Sequence, residues 1–75
     1  MKKIFLTWNL PEYKEWATPT DGGYELYIIR KEPDNFLVVK AKLIIEARGL
    51  PGFKVLEEHN LSDEKSALRK VQEWR

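Results

Sequence analysis

Six apolar residues at a strict spacing of two, Leu37, Val39, Ala41, Leu43, Ile45 and Ala47, run through the middle of the chain, and their alternates include Lys40, Lys42, Glu46 and Arg48. Side chains two apart share one face of a strand, whereas the same set on a helix would be scattered round its circumference. This segment must be a strand, so the fold must be built round a sheet. The run is long for one strand, which predicts a bulge or bend near Lys42 to Ile44.

Other segments supply partners for it. Ile4, Leu6 and Trp8 alternate with Lys3, Phe5 and Thr7, and Tyr24, Leu26 and Ile28 alternate with Glu25, Tyr27, Ile29 and Lys31, predicting two further strands. Between them, Pro11, Pro19, Asp21, Gly22 and Gly23 read as a loop, with Pro11 opening a short helical turn through Trp16. Glu32-Pro33-Asp34-Asn35 and Gly49-Leu50-Pro51-Gly52 read as hairpin connections. Phe53 to Glu57 is a short last strand, and His59 and Asn60 lead towards a helix.

Ser62 is placed to cap that helix, with Asp63 and Glu64 favourable at its positive end. Ala67, Leu68, Val71 and Trp74 then fall at i, i+1, i+4 and i+7, one apolar stripe suited to covering a sheet. The expected architecture is α+β: a single domain over residues 1–75, with an antiparallel three- or four-stranded sheet packed by one C-terminal helix in the order β-β-β-β-α. That order, with a helix entered after Phe53-Lys54-Val55-Leu56, resembles the small DNA-binding domains that precede phage-type integrase cores. The resemblance is one of architecture, and it implies a sheet laid in the major groove.

Seventy-five residues hold one core, and nine aromatics give it enough area to bury. No Cys and a single His leave no donor set for a zinc or redox centre, so neither a metal nor another cofactor is expected. The apolar run after Met1-Lys2-Lys3 is broken by Thr7, Asn9 and Pro11, which argues against an export signal, and no stretch is apolar for long enough to span a membrane. A cytoplasmic protein without membrane contact is expected.

Catalysis is not expected either. Glu57, Glu58 and His59 are consecutive, and consecutive strand residues point to opposite faces. Ser62 and Ser66 have no nucleophile context, and Gly22-Gly23 lacks the Lys and Ser/Thr of a phosphate loop.

Function is therefore sought on a surface. If Leu26, Ile28, Leu37, Val39, Ala41 and Leu43 face the helix, the opposite sheet face displays Phe5, Tyr27, Ile29, Phe36, Val38, Lys40 and Lys42. A face that mixes aromatics, aliphatics and Lys is suited to a partner, with Trp16, Tyr27 and Phe36 as anchors. The expectation is a small non-catalytic protein-binding module, regulatory or inhibitory, whose partner is another protein or a second copy. The alternative is a nucleic-acid-binding domain, in which Tyr27 and Phe36 stack bases while Lys40, Lys42, Arg48 and Lys54 take phosphates, with Lys65, Arg69 and Lys70 as a further basic cluster on the helix. A net charge of +1 favours the protein partner. The opposing structural reading has the segment from Tyr13 to Trp16 fold over this face as a second small core.

Overall fold

A computed structural model of the chain describes residues 4–45 and 51–74, without the side chains of Phe5, Ile45 and Pro51. Five strands precede one helix: β1 (Phe5–Leu10), β2 (Tyr13–Thr20), β3 (Gly23–Lys31), β4 (Phe36–Ile45), β5 (Pro51–Leu61) and α1 (Glu64–Trp74). The strands lie side by side in the order β1-β2-β3-β4-β5, each antiparallel to the next. No helix of the described residues is long and apolar enough to cross a membrane.

The architecture is the expected antiparallel sheet with a C-terminal helix, with five strands rather than three or four. The added strand is β2, in the segment predicted to be a loop opened by a helical turn. Tyr13, Glu15 and Ala17 alternate there with Lys14, Trp16 and Thr18, and a hairpin joining Leu10 to Tyr13 turns in only two residues, Pro11 and Glu12. Pro19 does not break β2, because it lies beyond Phe5↔Ala17, the last described pair with β1, at a border where a missing N–H is tolerated.

Two glycines set the next turn. Gly22 takes a φ of 84°, which lets the chain reverse between Thr20 and Gly23. Gly23 lies so close to β4 that a Cβ would overlap the Leu43 carbonyl oxygen. The β3–β4 hairpin closes as predicted at residues 32–35, where the Glu32 N–H donates to the Asn35 carbonyl at 2.8 Å.

β5 is longer than predicted and contains His59 and Asn60. The predicted bulge near Lys42 to Ile44 lies instead opposite Lys40 and Ala41: Lys40 pairs with Glu57 but Ala41 with Val55, so Leu56 is the extra residue of β5. Residues 46–50, which include Arg48 and part of the predicted second connection, lie outside the described residues.

The helix cap is Asp63, not Ser62. The Ser66 N–H donates to Asp63 Oδ1 at 2.7 Å, and the Ala67 N–H donates to the Asp63 carbonyl at 3.2 Å. Hydrogen bonding from Ser66 holds the Asp63 carboxyl below its ordinary pKa. Lys14 Nζ on β2 reaches Glu64 Oε1 at 3.0 Å and ties the first turn of α1 to the sheet.

The structure reverses the predicted assignment of the two sheet faces. Ala67 and Val71 of α1 pack on Tyr27, Ile29 and Val38, with Ile4, Trp16, Phe36, Leu61, Leu68 and Trp74 around them. The cause lies at the end of β5. The bulge at Leu56 shifts the side-chain parity, so that Glu57, His59 and Leu61 point to the side of Lys40 and Val38. Only Ser62 and Asp63 separate Leu61 from α1, so the helix must fold back over the face to which Leu61 points.

Candidate functional site

The face turned away from α1 is built from four rows of cross-strand neighbours. Leu10, Tyr13, Arg30, Leu37 and Asn60 form one row, and Trp8, Glu15, Ile28, Val39 and Glu58 the next. Ala17, Leu26, Ala41 and Val55 form a third, and Pro19, Tyr24, Leu43 and Phe53 a fourth. Apart from Glu15, Arg30, Glu58 and Asn60, every side chain in these rows is apolar or aromatic, although no element of the described residues packs over them. A sheet face left to water normally carries polar side chains.

Its relief follows from residue size. The third row alternates small and large, so Leu26 packs between Ala17 and Ala41 and these three are buried. Larger side chains rise on either side and enclose two open troughs. One, of about 400 Å³, is lined by Thr7, Trp8, Glu15, Ala17, Tyr24, Leu26 and Leu43. The other, of about 290 Å³, holds Tyr13, Arg30 and Glu58 at its polar end and Val39, Phe53 and Val55 among its apolar walls. At the two borders of the sheet stand prominent side chains, Trp8 on β1 at 52% exposure and Phe53 on β5 at 58%.

Charge on this face is confined to one end. Tyr13 Oη donates to Glu15 Oε2 at 3.3 Å, and the Trp8 ring meets the Tyr13 ring edge-on at 4.9 Å. The Tyr13 phenol titrates above its ordinary value because it is partly buried and then because Glu15 is beside it, against the opposing pull of Arg30.

The residues predicted to bind a partner lie on the other side. Tyr27, Ile29 and Val38 are buried under α1 and cannot meet a partner while the helix is docked, and Trp16 and Phe36 pack against them and are partly buried. Tyr27 Oη donates to Glu25 Oε1 at 2.6 Å, and the Trp74 carbonyl oxygen lies 3.1 Å away. Its pKa is pushed well above the ordinary phenol value, first by burial and then by the Glu25 carboxylate. Lys40 is half-buried with Nζ 3.8 Å from Glu25 Oε1. Lys42 and Lys54 are exposed neighbours across β4 and β5 on the helix side of the sheet.

On α1, Lys65 and Arg69 are exposed, while Lys70 reaches Glu73 at 3.5 Å and sits 5.9 Å above the Trp74 ring. His59 Nε2 lies 3.3 Å from Glu57 Oε1, its ring 6.0 Å from that of Trp74. Among the described residues, no group of three or more His, Cys, Asp or Glu side chains is placed to hold a metal.

Sequence reasoning named Leu26, Ile28, Leu37, Val39, Ala41 and Leu43 but assigned them to the helix. It missed Tyr13 and Ala17, whose alternation within the segment between Pro11 and Pro19 was the available signal. Comparison of the chain with protein-family models, with curated proteins and with solved structures found no match.

Proposed function

We propose that the chain is a small non-catalytic protein-binding module, regulatory or inhibitory in action, that engages its partner through the open face of the sheet. The observation that carries this reading is four rows of mostly apolar side chains with nothing of the described chain over them. Burying such a face releases about 25 cal/mol per Å² of apolar surface, so a protein surface is the occupant best matched to it.

The distribution of charge supports the same choice. Arg30 is the one cation in the four rows, and Glu15 and Glu58 flank it in the next row, a poor lining for a phosphate backbone. Trp8, Tyr24 and Phe53 offer flat rings to bases, but the lysines that would neutralise phosphates lie on the other side or on α1. Nucleic-acid binding therefore ranks second, carried by the adjacent pair Lys42 and Lys54 and by Lys65 and Arg69.

The test is a photo-reactive phenylalanine analogue placed at Phe53 and activated in the cell that makes the protein. The expected result is a covalent adduct to protein, lost when Val55→Glu is added. An adduct to nucleic acid, or none from a folded variant, would overturn the reading. Titration with short oligonucleotides at low salt, followed by tryptophan fluorescence, should show no saturable change.

A further inference from the structure

The shape, area and charge of the open face point to one occupant. We propose that it is covered by a second copy of the chain, packed sheet against sheet about a twofold axis to give a helix–sheet–sheet–helix dimer. This deepens the proposed function and rests on the same face being a protein-binding surface.

Self-fit is the first argument. A twofold interface brings one patch against itself, so that patch must carry both projections and the recesses to receive them. The open face has both: Trp8 and Phe53 stand up at its opposite borders, and two apolar troughs lie between them. A surface shaped for an unrelated partner needs no such pairing of features.

Sheet geometry is the second. Every sheet of L-residues twists in the same sense, and two such sheets fit face to face with strand directions offset by about 30° and backbones about 10 Å apart. A second copy brings a sheet of matching twist and matching length. From Leu26 to Ile29 and from Phe36 to Val39, β3 and β4 are also apolar on both faces, as in sheets sandwiched between two layers, and α1 supplies only one layer.

Area and charge are the third and fourth. Five strands spaced ~4.8 Å apart, over about eight residues at ~3.4 Å each, present roughly 600 Å² in projection. That approaches the ~800 Å² per partner of a stable interface once the relief is counted, and it is about a tenth of the 5475 Å² molecular surface. A net charge of +1 gives two copies little repulsion, and the face holds both signs at one end, so Arg30, which already lies 3.5 Å from Glu32 of its own copy, would add the carboxylates of the other.

Light scattering and sedimentation of the purified protein, across roughly micromolar to millimolar concentration, test the proposal. The expected mass is twice the 8.9 kDa of one chain. Phe53→Glu with Val55→Glu should return it to a monomer with an unchanged far-ultraviolet dichroism spectrum, while Lys54→Glu, on the opposite side of the same strand, should leave the dimer intact. A mass of one chain throughout, or a dimer that survives the Phe53 and Val55 changes, would overturn the proposal. A monomer in solution that still gives a cross-link from position 53 to a different protein sinks self-association and leaves the binding reading standing. A monomer with no cross-link sinks both.

Discussion

Tyr27 joins two parts of the molecule at one hydroxyl, meeting the Glu25 carboxylate of its own strand and the Trp74 carbonyl in the last turn of α1. Tyr27→Phe should cost about 1–2 kcal/mol in urea unfolding, because the part-buried Glu25 loses a donor. The raised phenol pKa adds a pH signature. The folded state holds this proton more tightly than the unfolded chain, so the contribution is complete below the ordinary value of 10.0 and is lost as pH rises above it. Between about pH 10 and pH 12 the wild type should therefore lose more stability than Tyr27→Phe. The Asp63 carboxyl behaves in the opposite sense. Its pKa is depressed, so its contribution is present above 3.8 and lost as pH falls below that value. Asp63→Ala should lower Tm at neutral pH, and the difference from wild type should disappear in acid. Ser62 and Asp63 are both capping residue types in adjacent positions, which is why the sequence placed the cap at Ser62, one residue too early. Gly23 was legible only as part of a turn. Its close approach to the Leu43 carbonyl arises from sheet geometry, and Gly23→Ala should destabilise by about 2 kcal/mol or more.

At the scale of elements, alternation in β3 and β4 and the stripe on α1 were readable, because each records one buried surface at a fixed period. β2 was not, since Pro11, Pro19 and the Asp21-Gly22-Gly23 run punctuate its ends and hide an alternation of only eight residues. The choice of face was not readable either. From Leu26 to Ile29 and from Phe36 to Val39 the two central strands are apolar on both sides, and the deciding event, one extra residue at Leu56, lies in a different strand. A consequence is that Tyr27 and Phe36, read as surface anchors, belong to the core. Replacing both by Ser should abolish cooperative unfolding, while Val55→Ser, on the exposed face, should change the stability of the monomer by no more than about 0.5 kcal/mol. Trp74, which stacks on Tyr27 at 5.8 Å and closes the stripe, should cost about 3 kcal/mol when changed to Ala, read from the urea midpoint.

For the whole molecule, α1 covers one side of the sheet and no element of the described residues covers the other, so the proposed binding and the stability of the fold are linked there. If a second copy covers it, each monomer is stabilised by association, and Tm should rise with protein concentration in the wild type but not in the Phe53→Glu, Val55→Glu variant. Composition had indicated one domain and a near-neutral surface. It could not show which apolar residues would remain outside, because a residue count does not say how many layers will cover it. The strand order carries a separate consequence. Each strand pairs only with its neighbours in sequence, so no β pairing requires a distant part of the chain to be found first. Ordering can spread from hairpin to hairpin, and only the docking of α1 on β3, β4 and β5 closes a long loop. Such a chain should refold at the fast end of the range for sheet proteins, on the order of milliseconds, with α1 seating last.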